Sequence, residues 1–83
     1  MKKVVSISRA DAAYFSYLTY ELKGYQVLMR LERRKEFCEK IQELTMERSI
    51  LADELVKKYI GDNIKVTNVV VNLTYQRMEA YYE

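Results

Sequence analysis

Laid out at about 100° per residue, the helix-forming stretch from Arg9 to Tyr59 does not keep one apolar face. In its first half Ser16, Thr19, Lys23, Gln26 and Arg30 make a narrow polar stripe, and most other positions are apolar. In its second half Phe37, Ile41, Leu44, Leu51 and Leu55 take over the sector of that stripe, and Glu32, Glu36, Glu39, Glu43, Glu47 and Glu54 lie opposite. A helix packed on one core buries one stripe. A chain whose apolar face changes sides between Arg30 and Phe37 therefore turns within residues 31–36 to make an αα-hairpin, or runs on as one helix of about 75 Å whose halves meet different partners.

Local chemistry favours the continuous helix. The chain has 83 residues with two glycines and no proline, and the crossover Leu31-Glu32-Arg33-Arg34-Lys35-Glu36 consists of strong helix formers. Ala13, Tyr17, Tyr20, Gly24, Val27, Leu31, Arg34, Cys38, Ile41, Thr45, Arg48, Ala52, Leu55 and Tyr59 keep an unbroken three-four spacing, the heptad of a coiled coil with Arg34, Thr45 and Arg48 as polar faults. Gly24 is the weak point, as a kink, a close-packing point or a break. A long helix, bent near Gly24, is preferred over the hairpin.

The flanks read as strands. Residues 3–8 carry the β-branched Val4, Val5 and Ile7, with Val5 and Ile7 on one face, and Ser8 suits an N-cap with Asp11 three residues on. Gly61 stands where a glycine follows a helix end. From about residue 64 to 75, Val69, Val71, Leu73 and Tyr75 alternate with Asn68, Val70, Asn72 and Thr74, a half-buried strand. Ile64 and Val66 fall on the other parity, which predicts a bulge near Thr67-Asn68. Gln76 to Glu83 reads as a final helical turn. The expected class is mainly α with short terminal β-strands (α+β), with a long coiled-coil-like helix or αα-hairpin over about residues 9–60, in one small domain, 1–83. A long helix would hold the strands apart, so they would pair between subunits.

Composition narrows the chemistry. There is no histidine and one cysteine, Cys38, which removes histidine-based zinc, haem and triad sites and any disulfide within the chain. No cofactor or metal is expected: the acidic line Glu32, Glu36, Glu39 and Glu43 lacks the histidines of a bundle metal site. The start of the chain is too short in apolar residues for a signal peptide, and no stretch is long enough to span a bilayer. A cytoplasmic protein with a reduced thiol is the expectation.

Three sets of residues stand out. Tyr14, Tyr17, Glu21, Tyr25 and Leu28 on the helix, with Tyr75, Met78, Tyr81 and Tyr82 near the C-terminus, are the expected partner contacts, because tyrosine combines contact area with a polar tip. Val27, Leu31, Phe37, Ile41, Leu44, Leu51, Leu55 and Tyr59 are the expected oligomer seam. Arg30, Arg33, Arg34 and Lys35 are candidate phosphate contacts, although Glu32, Glu36 and Glu39 among them and a net charge of +2 leave little field. Glu21, inside an apolar face, is the one candidate general base, and no second catalytic group accompanies it. Accepting a hydrogen bond from a tyrosine is its simpler role. The expected function is therefore non-enzymatic protein binding, as an adaptor, assembly factor or inhibitor in an oligomer or complex. The alternative is a small nucleic-acid-associated regulator.

Overall fold

The computed structural model describes residues 1–83, with β1 (Lys2–Ser6), α1 (Arg9–Leu31), α2 (Lys35–Tyr59), β2 (Val66–Asn72) and β3 (Arg77–Tyr82) in chain order. The class is mainly α with short strands, as expected. The helix, however, is a hairpin. Glu32 and Arg34 both take extended backbone angles, closing α1 and opening α2, and the molecule's longest dimension is 39 Å, about half the length of the continuous helix. Burial overrides local propensity here. Folding back turns both apolar faces towards one core, which a straight helix cannot do. The three-residue connection is held without glycine: Glu32 N–H donates to Leu28 O, Phe37 and Cys38 N–H donate to Arg34 O, and Arg34 pairs with Glu32 and lies over the Phe37 ring.

The C-terminal segment also departs from the sequence expectation. The strand ends at Asn72, and Gln76 to Glu83 form no helical turn. Leu73 to Gln76 make a tight turn, in which Asn72 Oδ1 accepts from Tyr75 N–H and Gln76 adopts a φ of 51°, and the chain returns as β3. The strands form one antiparallel sheet in the order β1-β3-β2, so β1 pairs within its own chain, with Val5 opposite Met78. No exchange between subunits is needed. The missed signal was the alternation of Met78, Ala80 and Tyr82 with Arg77, Glu79 and Tyr81, hidden by the long, non-β-branched side chains around it. The bulge does occur, as a register shift between Val66 and Asn68.

The core lies between the sheet and the helices. Ile7, Ala12, Phe15, Leu55, Val56, Val69 and Met78 form one buried cluster, flanked by Val5, Leu51, Ala52 and Val71. Ser8 Oγ caps α1 by accepting from Asp11 N–H. At the other end of the hairpin Ile60 and Gly61 N–H both donate to Val56 O, and Gly61 has a φ of 128°, where a side chain would be strained.

Asp11 joins the two helices. Its Oδ2 accepts from Lys58 Nζ at 2.8 Å and from the Tyr59 hydroxyl at 2.6 Å, and Ser8 N–H donates to that same hydroxyl. The Lys58 bond, followed by that of Tyr59, lowers the Asp11 pKa from 3.8 to about 2, while the Lys58 pKa is raised by its bond to Asp11. A carboxylate with a lowered folded-state pKa stabilises the fold above its unfolded value and loses that contribution as pH falls. The melting temperature should therefore drop between pH 4 and pH 2, and Asp11→Asn should flatten that segment of the profile. Lys58 has the opposite sign: its share is present below 10.5 and is lost as pH rises through its raised value.

Candidate functional site

Folding the hairpin divides α1 into two sides. Ala12, Phe15 and Leu18 are buried against the core, with Leu22, Tyr25 and Met29 half-buried beside them. The other side has no partner within the chain. Ala13, Tyr17, Tyr20, Gly24, Val27 and Leu31, six residues at strict three-four spacing, are all exposed. The large ones are far from marginal: Tyr17 is 57% exposed, Tyr20 73%, Val27 51% and Leu31 80%, with Leu28 beside them at 42%. Exposed apolar side chains scattered singly need no explanation, whereas here they follow one another along a single helix face. α2 has nothing comparable, with only Met46 and Ile50 among its large apolar residues equally open.

The expected partner contacts separate accordingly. Tyr14, Tyr17 and Leu28 are exposed on α1. Tyr14 and the neighbouring Ile50, Leu51, Glu47 and Glu54 of α2 line an open groove of about 360 Å³. Tyr25 is half-buried and packs its ring on Phe37, 6.1 Å between centroids. Glu21 accepts a hydrogen bond from the Tyr17 hydroxyl at 2.8 Å, one helical turn away, and that bond raises the tyrosine's pKa. At the C-terminus only Tyr75 is openly exposed, with Arg77 over its ring. Met78 is fully buried and is a core residue, not a contact. Tyr81 and Tyr82 are half-buried in β3, where Tyr81 donates to Glu79 and Tyr82 exchanges backbone hydrogen bonds with Met1.

The expected oligomer seam also splits, and the reversal of the chain at Glu32 to Arg34 is the cause. Val27 and Leu31 face outward, whereas Leu44 and Leu55 are buried inside the chain. Phe37, Ile41, Leu51 and Tyr59 are half-buried around them, so the α2 part of the seam is intramolecular packing. The polar fault Arg48 is a clamp: its guanidinium lies 4.6 Å above the Phe15 ring and donates to Thr19 Oγ1 and Val69 O, linking α2 to α1 and β2. Tyr20 and Gly24 belong to the outward stripe, although neither is among the expected partner contacts or seam residues. Their place in the heptad spacing was the available signal.

Gly24 has nothing within 4 Å of the position a Cβ would take, and α1 runs through it unbroken. Within one chain it is neither a break nor a packing point. A glycine in a helix interior costs about 0.5–1 kcal/mol relative to alanine, so its absence of side chain brings the isolated chain no benefit. At low protein concentration Gly24→Ala should raise stability by about that amount in denaturant titrations.

Of the four clustered cations, Arg34 pairs with Glu32 and Lys35 with Glu39. Arg30 and Arg33 form no ion pair and border a hollow at the hairpin tip with Gln26, Met29 and Ile41. The acidic side chains do not converge into a group able to hold a metal ion. No helix is long and apolar enough to cross a membrane. Compared with known proteins, the chain matches no family model, no curated protein and no solved structure.

Proposed function

We propose that this protein is a non-enzymatic protein-binding module whose contact surface is the outward stripe of α1, and that its first partner is a second copy of the same chain. The carrying observation is the order of residues along the stripe. Aromatic side chains occupy its N-terminal half, Tyr17 and Tyr20, aliphatic ones its C-terminal half, Val27, Leu28 and Leu31, and Gly24 lies between. A two-fold axis at Gly24 runs two such helices antiparallel and sets the tyrosines of each copy on the aliphatic residues of the other. Such an interface is isologous and closed. It also gives Gly24 a purpose, since helices ordinarily pack about 8–10 Å apart and a glycine at the crossing lets the backbones come closer.

Magnitudes make this association concentration-dependent. Fully burying a large apolar side chain contributes about 1.5–3 kcal/mol, and partial burial of the stripe on both copies competes with an association cost of about 4–15 kcal/mol. The Glu21 carboxylate, held by Tyr17 at the margin of the stripe, fits a rim position better than a general base. A reducing compartment, such as the cytoplasm, suits the exposed free thiol of Cys38. Nucleic-acid binding at the hairpin tip is the weaker reading, because ion pairs already engage two of the four cations.

Position 24 should face itself across the two-fold axis, which makes cysteine cross-linking a direct test. In a Cys38→Ser background, Gly24→Cys should oxidise to a disulfide-linked dimer, because the bond requires Cα atoms about 4.4–6.8 Å apart. Met46→Cys, exposed on α2, should not. Equal cross-linking at the two positions would count against the proposed surface.

A further inference from the structure

A different part of the molecule gathers positive charge without a carboxylate to match it. Between α1 and the β2-β3 turn lies a cleft of about 570 Å³, large enough for a ligand of small-metabolite size. Its chemistry is one-sided: Lys23 and Arg48 supply two positive charges, Ser16, Thr19, Asn72 and Thr74 supply hydroxyl and amide groups, and no carboxylate lines it. Neither cation takes part in an ion pair. Asp53 lines a separate cleft that shares only Arg48 with this one.

Arg48 is the informative residue. It is half-buried, and a cation removed from water is ordinarily matched by an anion. Here its Nε donates to Thr19 Oγ1 at 3.1 Å and one terminal nitrogen to Val69 O at 3.3 Å, while Phe15 lies under its plane. Thr19 is fixed in turn, because its hydroxyl donates to Phe15 O at 3.0 Å. Two neutral acceptors thus orient the guanidinium and leave its charge uncompensated and its remaining N–H groups available. Guanidinium offers a planar fork suited to the oxygens of a phosphate. Asn72 adds an amide whose oxygen is already engaged by Tyr75 N–H, leaving its NH₂ to donate. The same lining includes the exposed apolar side chains of Tyr20, Val70 and Leu73.

We infer that the cleft between α1 and the β2-β3 turn binds a small organic phosphate monoester, with the phosphate held by Arg48 and Lys23 and an apolar or planar body resting against Tyr20 and Leu73. The cleft meets the outward stripe of α1 at Tyr20, whereas Arg48, Lys23, Asn72 and Thr74 lie off that stripe.

Phenyl phosphate is a suitable probe, titrated into isotopically labelled full-length protein and followed by amide shifts. The expected shifts centre on Ser16, Lys23, Arg48, Asn72 and Thr74. Phenol, with the same body and no charge, should leave them unmoved, and inorganic phosphate should bind at the same amides more weakly. Lys23→Gln removes a charge-assisted hydrogen bond and should weaken phenyl phosphate roughly tenfold or more. Lys23 is exposed and forms no ion pair, so this variant should keep its melting temperature. Arg48→Lys preserves the charge but not the fork and should weaken binding as well, with the melting temperature recorded alongside. No shifts at these residues, or shifts that Lys23→Gln leaves intact, would overturn the assignment. So would tighter binding of a thymidine oligonucleotide that also moves Arg30 and Arg33, since that would make the cleft one part of a nucleic-acid surface.

Discussion

Phe15→Ala should unfold a substantial fraction of this protein at room temperature. Phe15 is 2% exposed, one of the largest side chains enclosed by the fold. It touches three layers of the structure at once: it projects from α1 into the shared cluster with Leu55, Val69 and Met78, and it carries the Arg48 guanidinium on its face. Truncating a buried phenylalanine costs about 3–5 kcal/mol through lost burial and the cavity left behind. Domains of ordinary stability hold about 5–15 kcal/mol in total, and one of 83 residues belongs towards the lower end. Chemical denaturation followed by circular dichroism should show the midpoint falling by most of its value. Phe15→Leu, which retains much of the volume and loses the ring beneath Arg48, should cost clearly less.

The second large effect concerns association. Val27→Glu places a carboxylate in the stripe one turn from Gly24, opposite the tyrosines of the second copy in the proposed dimer. Its position is 51% exposed in the isolated chain, so the monomer should keep its melting temperature to within about 0.5 kcal/mol of stability, as surface changes do. In the dimer the charge would be desolvated without a partner, and interface positions of this kind cost about 2–4 kcal/mol or more. Dissociation should become about thirtyfold to a thousandfold easier. Leu31→Glu, further from the axis, should act in the same direction and less strongly. The contrast with Phe15→Ala separates the two sides of α1: one face is predicted to determine whether the chain folds, the other, on the proposed function, whether folded chains meet.

Much of this organisation was legible in the residues. Ser8 as a cap, Gly61 as a helix stop, the bulge near Thr67-Asn68 and the inversion between Arg30 and Phe37 each rest on local stereochemistry or on periodicity, and each is present in the fold. The choice between helix and hairpin was not local. Glu32, Arg33 and Arg34 are good helix formers, and only the gain from folding two apolar faces onto one sheet makes them a turn. That sheet was itself hidden, because β3 carries Met78, Ala80 and long polar residues that do not favour a strand on their own. Once β3 is placed, β1 has a partner in the chain, and the need for a swapped strand disappears.

The candidate site was readable in part for the same reason. The heptad spacing from Ala13 to Leu31 was visible, but its sense depended on the turn: α2's share of the seam went inward, to Leu44 and Leu55, and α1's share stayed outside. Arg48, taken as a fault in a coiled coil, is half-buried over Phe15 because β2 and Thr19 bring acceptors to it across sequence separations that no local pattern encodes.

Sedimentation equilibrium over a dilution series tests the central claim most directly. The chain should approach twice its 9.9 kDa mass as concentration rises and return to a folded monomer on dilution, while Val27→Glu remains monomeric throughout with unchanged circular dichroism. A wild-type chain that stays at 9.9 kDa at every concentration, or a dimer that Val27→Glu leaves untouched, would contradict a contact surface on the outward face of α1.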